Sequence, residues 1–268
     1  MKSTIIIFKE MIENKNIIWN LAKYEFKNGY AATTLGGVWL VLNPLIQVAL
    51  FWVIFGLGIR GRGDRDDFPF IVWLLPGMIP WFYIGSTISK GATCISKKLS
   101  MASRMNFPLS IIPAYTILTN FFTHGVLLTF IPLTLIIFGI GFSGFNIVWL
   151  FYAIFTSILF LISLSFVTST LTSIIKDLGQ LIQHITRMLF WFTPIMWEPN
   201  YNQRLFQIIL PLNPVHHIVS SYRNAFLYGN VAVINWASTL IFWFLALFML
   251  IFGTQIHLKF RREFIDYL

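Results

Sequence analysis

Arg187 stands inside an otherwise uncharged run, with His184 three residues before it and Trp191 four after, so on a helix all three share one face. A guanidinium, an imidazole and an indole offer a cation, a hydrogen-bond donor and a stacking surface. That combination suits a diphosphate or a phosphate ester. Glu198, His216 and His217 are the other residues able to act as acid, base or ligand. Adjacent histidines point in different directions on a helix, so a polar-tipped interfacial loop explains them better than a metal centre. The Arg62-Gly63-Asp64 triplet lies among Arg60, Arg65, Asp66 and Asp67 and reads as a solvated turn. The sequence assigns no catalytic set and no metal site.

Several chemistries lack their usual residues. No Gly-x-x-x-x-Gly-Lys-Ser/Thr phosphate loop occurs, so ATP hydrolysis of the P-loop kind would require another protein. Cys94 is the single cysteine, which rules out an internal disulfide and a cysteine metal cluster. The apolar runs contain no Asp or Glu, which disfavours an ion-coupled carrier built on intramembrane carboxylates.

The elements that position these residues are membrane spans. Of 268 residues, 57% are hydrophobic and 11% charged, against about 25% charged in a soluble domain. A bilayer core of about 30 Å needs about 20 helical residues. Runs of that kind cover 38–59, 70–89, 109–138, 146–175, 178–197 and 231–256, with the glycine-rich stretch 139–144 as the turn between the third and fourth. Between the last two, residues 205–222 are apolar but broken by Pro211 and Asn213-Pro214. Each half is too short to cross, so the segment is expected to re-enter.

Over residues 5–27, Lys9, Glu13, Asn16, Asn20, Lys23 and Lys27 form one polar stripe, and Phe8, Met11, Ile18, Ala22 and Phe26 fall opposite. That pattern predicts a helix in the membrane interface. The basic residues, net charge +9, cluster beside the spans rather than forming a nucleic-acid surface. Thirteen of the nineteen Lys and Arg fall on the side of the termini, whereas Arg60, Arg62, Arg65, Arg204 and Arg223 fall opposite. Both termini are therefore expected in the cytoplasm. The N-terminal apolar stretch is too short for a cleaved signal. The expected fold is an all-α, multi-pass membrane domain of six transmembrane helices with an N-terminal amphipathic interface helix and a re-entrant helical pair before the last span.

Aromatic residues inside the spans extend the site. Trp39, Trp52, Phe55, Trp81, Trp191 and Phe192 could line a path for a sugar chain, since flat apolar rings match the C–H faces of sugars. Helix packing or lipid contact is the plainer role for any one of them.

Short motifs follow one another along the chain: Leu35-Gly36-Gly37-Val38-Trp39 with Asn43-Pro44, then Phe55-Gly56-Leu57-Gly58-Ile59-Arg60-Gly61-Arg62, then Asn106-Phe107-Pro108-Leu109-Ser110-Ile111-Ile112-Pro113. Thr193-Pro194-Ile195-Met196-Trp197, Leu212-Asn213-Pro214 and Arg223 complete the series. Their order resembles the polysaccharide-export permeases of ABC transporters, and within them the teichoic-acid translocation permeases. Lys176-Asp177 stands where such permeases commonly show Arg-Asp, keeping the charge and losing the bidentate fork.

The resemblance implies a homodimer in a Gram-positive cell membrane, with two copies of a separate ATPase that bind the ATP and magnesium; no cofactor belongs to this chain. It also implies a coupling helix after the second span, over Ser96, Lys97, Lys98, Leu99, Met101 and Arg104, with Lys176 and Asp177 as a second contact. The cargo would be a lipid-linked polymer, with wall teichoic acid first. An ABC exporter of drugs or lipids, and an intramembrane enzyme of envelope lipid metabolism, are the alternatives.

Overall fold

A computed structural model describes residues 2–29, 34–59, 68–105, 108–199, 203–229 and 236–261. The Arg62-Gly63-Asp64 triplet and the side chains of Met101 and Arg104 lie outside the described residues. Helices α1 (Lys2–Glu13) and α2 (Lys15–Asn28) precede α3 (Val38–Phe51), which continues as a π-helical stretch over Trp52–Ile59. After them come α4 (Phe70–Ala92), α5 (Cys94–Met105), α6 (Ile111–Leu128), α7 (Phe130–Ile137) and α8 (Ile147–Ile174). The last four are α9 (Leu178–Phe192), α10 (Arg204–Leu212), α11 (Pro214–Arg223) and α12 (Trp236–Phe260).

Among the described residues, five helical segments are long and apolar enough to cross a bilayer: Val38–Gly56, Phe70–Ala92, Ile111–Ile137, Ile147–Ile174 and Trp236–Phe260. The element expected over 178–197 differs. α9 has 15 residues, about 22 Å at 1.5 Å per residue, which is shorter than a bilayer core. Its stop has a local cause, because the ring of Pro194 disfavours helical backbone at the residue before it. Thr193 accordingly turns to an extended conformation with ψ 131°. Two further breaks also have named causes. Pro132 removes an amide and crowds the preceding turn where α6 gives way to α7, and Asn14 Nδ2 donates to Glu10 O at 2.8 Å where α1 gives way to α2.

α4 is the centre of the bundle. It is 78% buried over its most apolar window, against 11% for α3. It packs on α6, α8, α9 and α11. The apolar stripe of α1 and α2 packs on α6, with Ala22 fully buried and Trp19 and Phe26 edge-on to Phe122. Lys9, Glu13, Asn16, Asn20, Lys23 and Lys27 are exposed.

The segment expected to re-enter forms two short helices. Asn213 lies between them, and its Oδ1 accepts from Val215 N and His216 N at 3.0 and 3.3 Å, which caps α11 with Pro214 in the first turn. Asn213 Nδ2 reaches back to Thr193 Oγ1 at 3.0 Å.

At the far end of α11, Arg223 is buried, a placement that the charge count by side left open. Its guanidinium donates to Pro194 O and Ile195 O at 2.7 and 2.6 Å and lies 3.6 Å above the Trp73 ring. Gly77 leaves room for it, since a Cβ there would lie 2.9 Å from Arg223 Nη2. Three distant motifs thus close into one clasp that joins α4, the end of α9 and the re-entrant pair.

The charged residues at the other end tie the termini together. Glu10 pairs with Arg261 at 2.7 Å and also accepts from Ser110, while Thr4 Oγ1 and Thr254 Oγ1 are 2.9 Å apart. Lys98 pairs with Glu25 at 2.7 Å and lies over the Tyr115 ring. α1, α5, the start of α6 and the end of α12 are therefore gathered at one basic end. Cys94 is buried there, which pushes its thiol up to about 12.

Two measurements check this architecture. Arg223→Met leaves two carbonyls without their donor and is expected to destabilise the detergent-solubilised protein by about 3 kcal/mol, with Gly77→Ala shifting the melting temperature in the same direction. A melt unchanged in both variants would remove the clasp. At pH 8 a thiol titrating near 12 is about one part in ten thousand thiolate, so Cys94 should resist maleimide until the protein is denatured in detergent. Labelling of the native protein at the rate of a free thiol would contradict its burial.

Candidate functional site

α9 places Arg187, His184 and Trp191 together on its exposed side, as their spacing requires, and Trp191 is 59% exposed. Behind Arg187 lies a recess of about 380 Å³ between α9 and α4, lined by Trp81, Phe82, Ser86, Ser89, Gln183 and Arg187 among others. Among the described residues, no carboxylate lies within ion-pair distance of Arg187. The structure therefore brings Arg187 and Trp81 to one recess. Ser86, Ser89 and Gln183, which the sequence did not single out, stand beside them. Their signal was readable, because Ser86, Ser89 and Lys90 follow spacings of three and four on one side of α4.

The expected aromatic path divides. Trp81 is buried with its ring centroid 5.2 Å from that of Phe190, so it forms the wall of the recess. Trp39 lines a separate polar recess with Gln47, Lys90 and Asn120. Trp52 and Phe192 face outward on α3's extension and α9, and Phe55 packs on Phe51. The six rings do not form one continuous surface within a single chain.

The coupling residues also divide. Ser96 and Lys97 are exposed on α5. Lys98 is held by Glu25, and Leu99 is buried with Ala22, Ile95, Ile111 and Tyr115. Leu99 was expected as an apolar contact for a partner, but its contacts are made inside this chain, because α5 packs on α6 and α8 and its Leu99 joins the cluster that includes Ala22 of α2. Lys176 and Asp177 are exposed at the turn before α9. The two sets sit side by side, as Gly179 packs so closely on Thr93 that a Cβ would lie 3.0 Å from its methyl carbon.

The residues considered for an enzyme do not converge. His217 Nε2 and Tyr152 Oη are 2.9 Å apart, and Trp243 Nε1 donates to the same hydroxyl at 3.3 Å. His216 Nδ1 is 3.4 Å from Ser220 Oγ, and Glu198 is exposed. Among the described residues, no three of His, Cys, Asp and Glu gather as a metal site. The histidines serve the packing of α11 against α8 and α12.

The family profile described as ABC-2 type transporter matches residues 16–227, from α2 through the buried turn after α11. The O-antigen export system permease protein RfbA of Myxococcus xanthus is 22% identical over 227 residues, covering 83% of this chain and 84% of its own. Two proteins of the same description from Klebsiella pneumoniae are 25% and 23% identical over 248 residues, covering 91% of this chain and 92% of their own. Five apolar helices, a polar recess on the central one and a profile that spans the clasp and both recesses place the chain in the ABC-2 type transporter family.

Proposed function

We propose that this chain is the membrane permease of an ATP-driven exporter that moves a lipid-linked anionic cell-wall polymer, wall teichoic acid, from the cytoplasm to the outer surface. It works as a homodimer with two copies of a separate ABC ATPase, which bind ATP and magnesium. The observation that carries this reading is Arg187 on the recess between α4 and α9. A charged side chain on a helix in the bilayer is costly unless it pairs or faces water or an anion. Arg187 has no carboxylate within ion-pair distance among the described residues, and Ser86, Ser89 and Gln183 add polar groups to a recess walled by Trp81 and Phe82. Lipid tails would leave the guanidinium unsatisfied, which supports a wet path there. Export of polysaccharide is supported by the relatives named as O-antigen export permeases, and the anionic character of the cargo by the guanidinium.

A single chain supplies half of such a path. α3 exposes Val38, Leu45, Ile46, Leu50 and Val53, while α9 exposes Leu181, Ile185, Met188 and Trp191. A second copy seated on these apolar edges would enclose the two recesses and bring Trp39, Trp52, Phe55, Trp191 and Phe192 toward a shared lumen. The end that gathers α1, the end of α12 and most of the basic residues is then cytoplasmic, and the clasp end is outer. α9 completes the sixth passage as a short span whose outer part is replaced by the re-entrant pair. ATP-driven closure of the ATPases would push on Ser96, Lys97, Lys176 and Asp177. Because α5 continues from α4 and Thr93 packs on Gly179, that push moves α4 and α9 together and changes the width of the recess.

Arg187→Gln is expected to preserve folding, dimerisation and basal ATP hydrolysis of the assembled transporter while lowering polymer-stimulated turnover about tenfold or more, the effect of one lost charge-assisted hydrogen bond. Undiminished export with intact assembly would remove the phosphate-reading role. Ser96→Cys and Lys97→Cys should crosslink to cysteines on the ATPase, with buried Cys94 as a silent background. Crosslinks formed by C-terminal cysteines in their place would show that α5 is not the coupling element.

A further inference from the structure

α4 carries a second cation that this reading leaves unused. Lys90, in its last turn, donates through Nζ to Asn120 Oδ1 at 3.0 Å, and Ser86 Oγ donates to the same oxygen at 3.2 Å. Asn120 is buried and anchored, its Nδ2 donating to Thr116 O at 3.0 Å. These groups face a recess of about 200 Å³ closed by Trp39, Gln47 and Phe82. Phe82 and Ser86 also line the Arg187 recess, so the two recesses meet across one face of α4.

Lys90 is matched here by a neutral amide oxygen. Among the described residues, no carboxylate lies within ion-pair distance of it. Glu25, whose field reaches Lys90, is gripped by Lys98 through both carboxylate oxygens at 2.8 and 2.7 Å. Lys90 is exposed, so a ligand can reach it from the surface. One N–H of the ammonium is spent on Asn120 Oδ1, which leaves two donors at the opening for the oxygens of an anion. The volume of the recess lies below the roughly 300 Å³ at which sites for drug-sized ligands begin. A phosphoryl group with the first atoms of its ester fits, and a run of sugars does not.

We propose that the Lys90 recess is a phosphoryl-binding subsite that takes the phosphate or diphosphate of an isoprenoid carrier at the basic end, ahead of Arg187. The inference rests on the export reading and names where the headgroup first docks. The contact of Gly179 with Thr93 sets α9 and α4 level. From that level Lys90 stands three residues along its helix and Arg187 eight, about 4.5 and 12 Å at 1.5 Å per residue. The two cations are thus successive stations about 8 Å apart along the bundle, joined by Ser86.

The test uses the full-length chain in phosphatidylcholine nanodiscs, with farnesyl diphosphate as probe and binding measured by titration. Lys90→Gln should weaken binding about tenfold or more, Lys90→Arg should stay within about threefold of the parent, and Lys23→Gln on the exposed face of α2 should leave it unchanged. Equal affinity in Lys90→Gln overturns the subsite, and so does a loss that Lys90→Arg does not rescue, because that marks a folding defect rather than a lost charge. Inorganic pyrophosphate binding as tightly as the probe, with the same dependence on Lys90, or phosphatidylglycerol displacing the probe at equal concentration, keeps the anion site and overturns the isoprenoid as its source. The export reading is separable. Lys90-dependent probe binding alongside undiminished export by Arg187→Gln retains the subsite and removes the Arg187 role, and the opposite pair of results removes the subsite alone.

Discussion

The architecture depends on one buried cation. Arg223 closes the space between α4, the end of α9 and the re-entrant pair by donating to the carbonyls of Pro194 and Ile195 while stacking on Trp73. Those carbonyls belong to a stretch that has left its helix, so without a donor they would be buried and unpaired. Proline ends α9 early, the early end exposes backbone, and the guanidinium answers it. A bundle in which α9 stops short can therefore still close at that end.

That arrangement determines where polarity can reside. Since α4 is covered by α6, α8, α9 and α11, its polar side chains must either be satisfied inside the bundle or face the edges left open beside α3 and α9. Ser86, Ser89 and Lys90 take the second course, and the two recesses follow from it. On the helices packed against α4, His124 of α6 and Tyr222 of α11 lie 2.9 Å apart in the interior, with the Tyr83 ring of α4 stacked on the histidine. The polar groups that hold the fold thus lie where helices cover α4, and those that can meet a ligand lie on its open edges.

The basic end is organised by acidic residues outside the spans. Glu10 and Glu25 lie on α1 and α2, and each binds a cation from a helix distant in sequence. They hold the N-terminal pair against the bundle and leave Lys97 and Lys176 exposed. On the reading advanced above, the first group transmits force within the chain and the second receives it from the ATPase. Lys98 and Leu99 belong with the first group, although their positions on α5 suggested the second.

Residue types and spacing by themselves determined the helical class, five of the six expected spans and the amphipathic character of the N-terminal segment, because each is a matter of local hydrophobicity and period over one segment. They also determined that Arg187, His184 and Trp191 share a face, since the turn of a single helix decides it. The sequence contained the reason for α9's early stop, a proline after Thr193, but a run of apolar residues through Trp197 concealed it. Only the tertiary structure decided that Arg223 is internal, that Leu99 is already packed, and that Lys90 and Arg187 meet recesses sharing Ser86. Each of those outcomes depends on which helices become neighbours. A cation near a helix end looks the same in sequence whether it snorkels to water or caps carbonyls thirty residues away, and only the packing of α4 distinguishes the two.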